Sequence, residues 1–299
     1  MAVDHRRLLN GAAGLFVESA PWPCALAGLG YSLVSLEQTA RNRRGDAVRT
    51  DVIASSRRLD HSVVLECKTG WLDEDQLLRY CGFVDEDWIT GLYVKPVHGH
   101  GHRVDVVLVC LGENLSRVQE QLRRAGEDPA VLCFHADRVV LEQGRLRERE
   151  AHQLLGSGVP LDRNQMPSDL IPFVDDSVDQ DVAYTVARAI LQLWNERRRT
   201  FNITAVCEAS HPLWRHLSGD MQAGLSQRVR QLVRGAVAAH LTDTVHSVSS
   251  SKRSETWEFQ PPGGGAAAVL LRTQKLQRQL ADWTGQVERG WQPTLPGVQ

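Results

Sequence analysis

Two continuous apolar runs constrain the fold of this 299-residue chain more than any other feature. Residues 104–112 read VDVVLVCLG and residues 130–136 read AVLCFHA. Runs of this kind are typical of strands covered on both faces, as in a parallel or mixed sheet between layers of helices. Residues 113–126 between them carry apolar positions at helical spacing and end at a glycine. The pattern therefore predicts an α/β architecture, with a mixed sheet flanked by helices.

The residues before these runs predict a helix, an antiparallel meander and a second helix. The polar connections RNRRGD and RRLD join three strand-like runs, which is the signature of successive hairpins. Acidic residues precede helically spaced apolar residues in DEDQLLRYCGFV, as expected at the start of a helix. The predicted elements are a helix at 5–19, strands at 31–38, 48–55 and 62–68, and a helix at 73–84.

The composition changes after residue 155. The next stretch is rich in glycine and proline and has few periodic apolar residues, which favours a linker. Helical patterns then precede a hairpin, in the order expected of a winged-helix-like domain that binds DNA or protein. We predict an α/β domain at 1–155, a linker at 156–178, a mostly helical winged-helix-like domain at 179–262, and a C-terminal helix and tail at 263–299.

Cysteine usage and hydropathy bear on the compartment. Six cysteines occur without a CxxC pair, and several lie in apolar strands, so reduced thiols are expected. No stretch of 18 apolar residues exists, so we expect no membrane partner, and the first residues predict a helix rather than a signal peptide. A cytoplasmic protein is the expectation.

Basic residues concentrate in the second half, although the chain as a whole has a formal charge of −2. Residues 197–253 hold nine Lys and Arg against three Asp and Glu. We predict that this excess contacts nucleic acid through the helix before the hairpin and through the hairpin tip. The residues predicted to bind nucleic acid are Arg228, Arg230, Arg234, Lys252 and Arg253. Protein docking is the alternative role of such a domain.

Three charged residues lie where a buried strand should end. Glu66 and Lys68 directly continue the apolar run SVVL, and their alternation places both side chains on one face of the strand. Asp51 lies on the preceding strand, so a hairpin can bring it near Glu66. Two carboxylates at one point suit a hard divalent cation, most often Mg²⁺, and the lysine can orient a water molecule. Such a set suits the hydrolysis of a phosphodiester.

Asp51 followed by Glu66-Cys67-Lys68 resembles the PD-(D/E)XK nuclease superfamily, which has a restriction-endonuclease-like fold. The order of elements over about residues 5–140 is also similar. The resemblance implies that Asp51, Glu66 and the Cys67 carbonyl bind the metal and that Lys68 is catalytic.

Two further elements extend the resemblance. Gln76 and Tyr80, one helical turn apart, resemble the QxxxY element of RecB-type nucleases, which implies that both face the active site. An additional metal-binding glutamate often comes from the first helix in this superfamily. Glu18 is the expected equivalent, by similarity to Mrr-like members, and Glu37 in the first strand is its rival.

The sequence as a whole therefore predicts a metal-dependent DNA endonuclease that serves in defence against foreign DNA. Its cofactor would be Mg²⁺, with Mn²⁺ as a substitute, and double-strand cleavage would need a homodimer or a partner protein subunit. One alternative is a non-catalytic DNA-binding or scaffold subunit of a larger complex. Another is the transposon-end-cleaving subunit of a heteromeric transposase, and an RNA nuclease is also compatible with the sequence.

Overall fold

The computed structural model of the protein describes residues 2–19, 21–70, 74–91, 101–251, 254–261 and 265–288. The chain forms two compact units. The first unit comprises residues 1–171 together with 216–218, and the second comprises 172–215 and 219–299. No helix in the described ranges combines the length and the apolar character needed to span a bilayer.

The first unit is an α/β fold built on seven strands and flanked by helices, as predicted. Its helices are α1 (Ala2–Gly14), α2 (Glu74–Cys81), α3 (Asp85–Gly91), α4 (Leu115–Ala125) and α5 (Arg149–Ser157). Its strands are β1 (Tyr31–Arg41), β2 (Ala47–Ser56), β3 (His61–Lys68), β4 (Arg103–Leu111), β5 (Ala130–Phe134), β6 (Arg138–Gln143) and β7 (Val159–Pro160).

The seven strands lie side by side in chain order, and their directions make the sheet mixed. β1, β2 and β3 form the antiparallel meander, β4 and β5 run parallel to β3, and β6 and β7 return antiparallel. The two apolar runs of the sequence are the central strands β4 and β5, and β5 is fully buried. Strands covered by helices on both faces do not need a polar face. This explains why polar and apolar residues do not alternate along β4 and β5.

The helix predicted at 73–84 is α2, and a further helix that the sequence did not predict, α3, follows it. α2 ends at Cys81 and α3 begins at Asp85. The change of direction lets Trp88 stack on Tyr80 and pack against Phe83, with ring centroids 6.0 Å and 4.5 Å apart. Burial of this aromatic cluster stabilises the position of α2 over the sheet.

The stretch predicted as a linker at 156–178 belongs largely to the folded units. Its residues 159–160 form β7 of the large sheet, and Phe173 is fully buried. Asn10 of α1 exchanges two hydrogen bonds with the backbone of Ile171, at 2.9 Å and 2.8 Å. The boundary between the two units lies between residues 171 and 172, within the stretch predicted as a linker. The glycines and prolines of residues 156–178 therefore lie in a segment that packs within the folded units.

The second unit combines helices with a three-stranded sheet. Its helices are α6 (Asp179–Asn195), α7 (Ile203–Ser210), α8 (Gly219–Ala239) and α9 (Ala266–Glu288), and its strands are β8 (Thr200–Asn202), β9 (Val245–Ser251) and β10 (Ser254–Phe259). β10 lies between β8 and β9 and is antiparallel to both. α9, predicted as a separate C-terminal element, packs on α6 within this unit.

Candidate active site

The end of the β2–β3 hairpin brings Asp51 and Glu66 together. The last registered pair of the two strands is Val52 with Leu65, so Asp51 and Glu66 follow as neighbours one residue further along. Both carboxylates are at least nine-tenths buried. Asp51 Oδ2 accepts a hydrogen bond of 2.5 Å from the backbone N–H of Cys67. This bond fixes the Asp51 side chain at the strand end.

Glu66, Lys68 and Gln76 are joined pairwise by three hydrogen bonds. Lys68 Nζ donates to Glu66 Oε1 at 2.7 Å and to Gln76 Oε1 at 2.9 Å. The amide of Gln76 donates to the same Glu66 oxygen at 3.0 Å. Within the described ranges, Lys68 thus uses two of its three N–H donors, and its side chain keeps 14% exposure.

Tyr80 reaches the other oxygen of Glu66. Its hydroxyl oxygen lies 2.5 Å from Glu66 Oε2 and 2.5 Å from the carbonyl oxygen of Arg49. Burial, followed by the charge of Glu66, raises the pKa of Tyr80 well above its usual range. The hydroxyl therefore stays protonated and serves as a donor that orients Glu66. Gln76 and Tyr80 act on Glu66 together from one turn of α2.

Glu37 joins the cluster from β1. The pairs Leu36 with Val52 and Gln38 with Thr50 place Glu37 opposite Asp51. Its φ of 54° lies in the left-handed region, which costs a residue other than glycine about 1 kcal/mol. Glu37 Oε2 is 2.7 Å from Arg49 Nε, and the Glu37 side chain is only 8% exposed. Backbone strain of this kind concentrates at functional sites.

His5 approaches the same carboxylates from α1. Its Nε2 lies 3.7 Å from Asp51 Oδ1. One ligand atom from each of His5, Glu37 and Asp51 lies within 4.8 Å of the others. Two carboxylate oxygens and an imidazole nitrogen at this spacing are a suitable donor set for a divalent cation. The structure thus shows a group of residues that fits a metal.

The electrostatics of the cluster also favour a bound cation. Burial raises the pKa of Asp51 well above its ordinary value, and the charges of Glu66 and Glu37 raise it further. The Cys67 N–H and the charge of Lys68 offset only part of this effect. Carboxylates held together at such a cost are stabilised when a cation lies between them. By contrast, burial raises the pKa of the Cys67 thiol, so this side chain is not a nucleophile at neutral pH.

Glu18, the preferred additional ligand in the sequence prediction, lies elsewhere. It is exposed in the irregular segment after α1, and the described residues grouped as metal ligands do not include it. α1 ends at Gly14, four residues before Glu18, so the helix does not carry it toward the sheet. Glu37, its rival in the sequence prediction, is the glutamate that groups with His5 and Asp51.

The predicted nucleic-acid-binding residues differ in how they are engaged. Arg228 pairs with Asp179 at 2.7 Å and also donates to the carbonyls of Asp175 and Ser177. Arg234 pairs with Glu255 at 2.8 Å. Arg230 is half-buried on α8, with no ion pair to any described residue. Lys252 and Arg253 lie outside the described residues.

The sequence prediction did not include His5 and Arg49. Arg49 had a usable signal, since it lies two positions before Asp51 on one strand and so shares its face. His5 had none, because its approach to Asp51 depends on how α1 packs against β2 and β3.

Comparison with known proteins gives two family models, one that matches part of the first unit and one that matches mostly the second. Residues 4–122 match the family model described as the MJECL32 domain, and this range spans every residue of the cluster from His5 to Tyr80. Residues 175–261 match a family model described as a domain of unknown function (DUF8601). No curated protein and no solved structure matches the chain.

Proposed function

We propose that the protein is a metal-dependent endonuclease of the PD-(D/E)XK superfamily, with a restriction-endonuclease-like first unit, that hydrolyses DNA phosphodiester bonds. One observation carries the proposal: Asp51, Glu66, Lys68, Gln76 and Tyr80 converge at the end of the β2–β3 hairpin. A surface salt bridge would not need a buried second carboxylate or two side chains from α2 that bond to Glu66. Service in defence remains a prediction from the resemblance.

Each residue has a role that follows from its contacts. Asp51, Glu37 and His5 would hold the cation. By the resemblance Glu66 would be a further ligand, and its two oxygens accept hydrogen bonds from Lys68, Gln76 and Tyr80. Lys68, fixed by Glu66 and Gln76, directs an N–H toward a scissile phosphate or an attacking water. Water adds to phosphorus, the bond from phosphorus to the leaving oxygen breaks, and that oxygen takes up a proton. A bound divalent cation would supply charge stabilisation and a lower pKa for water.

The test is cleavage of supercoiled plasmid by the full chain with Mg²⁺, Mn²⁺ or EDTA. We expect cutting only with metal, and a Lys68→Ala rate lower by about 100-fold or more. Lys275→Ala is the matched control, because Lys275 is exposed and pairs with Asp243 in the second unit. Cutting that persists in Lys68→Ala would overturn the assignment of the site. Absence of cutting by the wild type with either metal would favour the scaffold alternative.

We also propose that the second unit is a winged-helix-like module that contacts DNA. The order α6, β8, α7, α8, β9, β10, with β10 central in the small sheet, supports this interpretation. In such modules the helix before the hairpin enters the major groove. Arg230 is the helix arginine best placed for phosphate, because Arg228 and Arg234 are paired internally.

The salt dependence of binding to a duplex tests this role. Arg230→Ala should weaken binding and reduce the slope of log K against log salt by about one. Arg215→Ala is the control, since Arg215 precedes α8 and pairs with Glu208 of α7. Equal slopes for wild type and Arg230→Ala would remove Arg230 from the interface, and no duplex binding at all would favour protein docking.

A further inference from the structure

A cavity of about 780 Å³ opens in the second unit, where α6 ends and α9 begins. Three consecutive arginines, Arg197 to Arg199, line it together with Trp194, Phe259 and Val269. No carboxylate side chain is part of its described lining. Its volume falls within the range of about 300–1,000 Å³ that is typical of small-molecule sites. The cavity therefore combines concentrated positive charge with an apolar wall.

Arg197 holds an unusual backbone position. The N–H of Arg197 donates to the carbonyl of Trp194 and that of Arg198 to the carbonyl of Leu193, which closes α6 in a Schellman motif. Arg197 has a φ of 58° at the position where glycine is usual, at a cost of about 1 kcal/mol. The helix dipole favours a cation near the carboxyl end of α6, but an arginine at a neighbouring position would meet that preference equally well. The dipole therefore does not explain why arginine occupies the position with positive φ.

The charges of the three arginines are available to a ligand. Arg198 and Arg199 pair with Glu196 and Glu258, at 3.1 Å and 2.5 Å, and both arginine side chains are more than half exposed. Exposed pairs of this kind contribute little and can rearrange. Arg197 forms no ion pair with any described residue. A guanidinium without a carboxylate partner beside two weakly held ones suits an anion with several charges.

The cavity lies apart from the surface proposed to contact DNA. In the small sheet, Thr200 pairs with Glu258 at one end, and Ser254 pairs with Ser251 beside the hairpin turn at the other. Arg197 to Arg199 directly precede Thr200, so they lie at the end away from the turn. The arginines of α8 do not line the cavity. A ligand of this cavity would therefore be distinct from a DNA duplex bound at α8 and the hairpin turn.

We propose that this cavity binds a nucleoside phosphate, with its phosphates held by Arg197, Arg198 and Arg199. Each guanidinium group can donate two parallel hydrogen bonds to the oxygens of a phosphate. Three arginines provide more donors and more positive charge than a ligand with a single carboxylate needs. The wall made by Trp194 and Phe259, whose ring centroids are 5.4 Å apart, would accept the base and sugar. This proposal does not rest on the nuclease activity.

The test is isothermal titration of the full chain with ADP, GDP, CDP and UDP in EDTA, which prevents metal-bridged binding at the other site. We expect saturable binding of at least one nucleotide, with adenosine and inorganic phosphate each at least about 10-fold weaker. Arg197→Gly should reduce affinity at least about 10-fold while raising the melting temperature, since glycine relieves the left-handed backbone. Arg215→Ala and Lys68→Ala should bind as the wild type does.

Four outcomes would overturn the proposal. They are absence of binding by all four nucleotides, unchanged affinity in Arg197→Gly, equal affinity for inorganic phosphate, and loss of binding in Lys68→Ala. Tighter binding to phosphatidylglycerol vesicles than to any nucleotide would also overturn it in favour of a lipid headgroup. The rise in melting temperature shows that a loss in Arg197→Gly does not come from misfolding.

Discussion

At the scale of single residues, the buried carboxylates set the pH dependence of stability. The pKa of Asp51 is raised, chiefly by burial, so the folded state keeps a proton that the unfolded chain releases above about pH 4. Raising the pH from about 4 to the pKa of Asp51 in the folded state therefore lowers the free energy of unfolding. A divalent cation should reverse the trend, because it favours the ionised carboxylate.

We expect the melting temperature in EDTA to fall as the pH rises above about 4, and to fall less in Asp51→Asn. Mn²⁺ should raise the melting temperature of the wild type more at higher pH, and should have little effect on Asp51→Asn. Thermal unfolding followed by circular dichroism measures both effects. Stabilisation of Asp51→Asn by Mn²⁺ equal to that of the wild type would exclude Asp51 as a ligand.

Glu37 permits a comparison that separates backbone strain from chemistry. Glu37→Gly and Glu37→Ala both remove the carboxylate, but only glycine adopts a φ of 54° without strain. The glycine variant should therefore be more stable than the alanine variant by about 1 kcal/mol in urea unfolding. Both should lose metal-dependent cleavage to the same extent. An active glycine variant would show that Glu37 is needed only for the conformation of β1.

At the scale of elements, two glycines of the first unit should respond oppositely to alanine. A Cβ at Gly144, directly after β6, would lie 2.7 Å from Ala130 Cα and 2.8 Å from the Pro129 carbonyl oxygen, and its φ is 72°. Gly144→Ala should destabilise by about 2 kcal/mol. Gly156 lies within α5 with open space around it, so Gly156→Ala should stabilise by about 1 kcal/mol. Urea unfolding should show a lower free energy of unfolding for Gly144→Ala and a higher one for Gly156→Ala.

Periodicity predicted the elements that carry most of the candidate site. The alternation of side chains along β3 was sufficient to place Glu66 and Lys68 on one face, because those side chains follow local geometry. Helical spacing placed Gln76 and Tyr80 on one side of α2, and only the resemblance implied that they face Glu66. β7 escaped prediction because two residues carry no period. The contribution of His5 depends on how a helix packs over distant strands, which no local pattern encodes.

At the scale of the whole molecule, the chain returns to the first unit after leaving it. Residues 216–218 belong to that unit, where Leu217 forms a bridge with Leu36 and the N–H of Ser218 donates to the Leu36 carbonyl at 3.0 Å. Leu36 directly precedes Glu37, so this return segment supports the backbone at the strained position. The site thus depends on residues distant in sequence.

Leu217→Ala should lower metal-dependent cleavage more than Leu213→Ala does. Both leucines are buried, at 5% and 4% exposure, so each substitution should cost about 2–4 kcal/mol. Leu217 bridges to the strand that holds Glu37, whereas Leu213 belongs to the second unit. Plasmid cleavage well below both melting temperatures makes the comparison. Equal activities would show that the return segment does not support Glu37.

The return segment also affects how the protein is made. During translation, the amino-terminal unit cannot complete its contacts when residue 171 emerges from the ribosome, because residues 216–218 have yet to be synthesised. At about 5–20 residues per second, that interval lasts a few seconds. Until then β1 lacks its bridge to Leu217, and the backbone beside Glu37 lacks its support. A nascent chain would therefore complete the support of the proposed metal-binding cluster only after the second unit has begun to emerge.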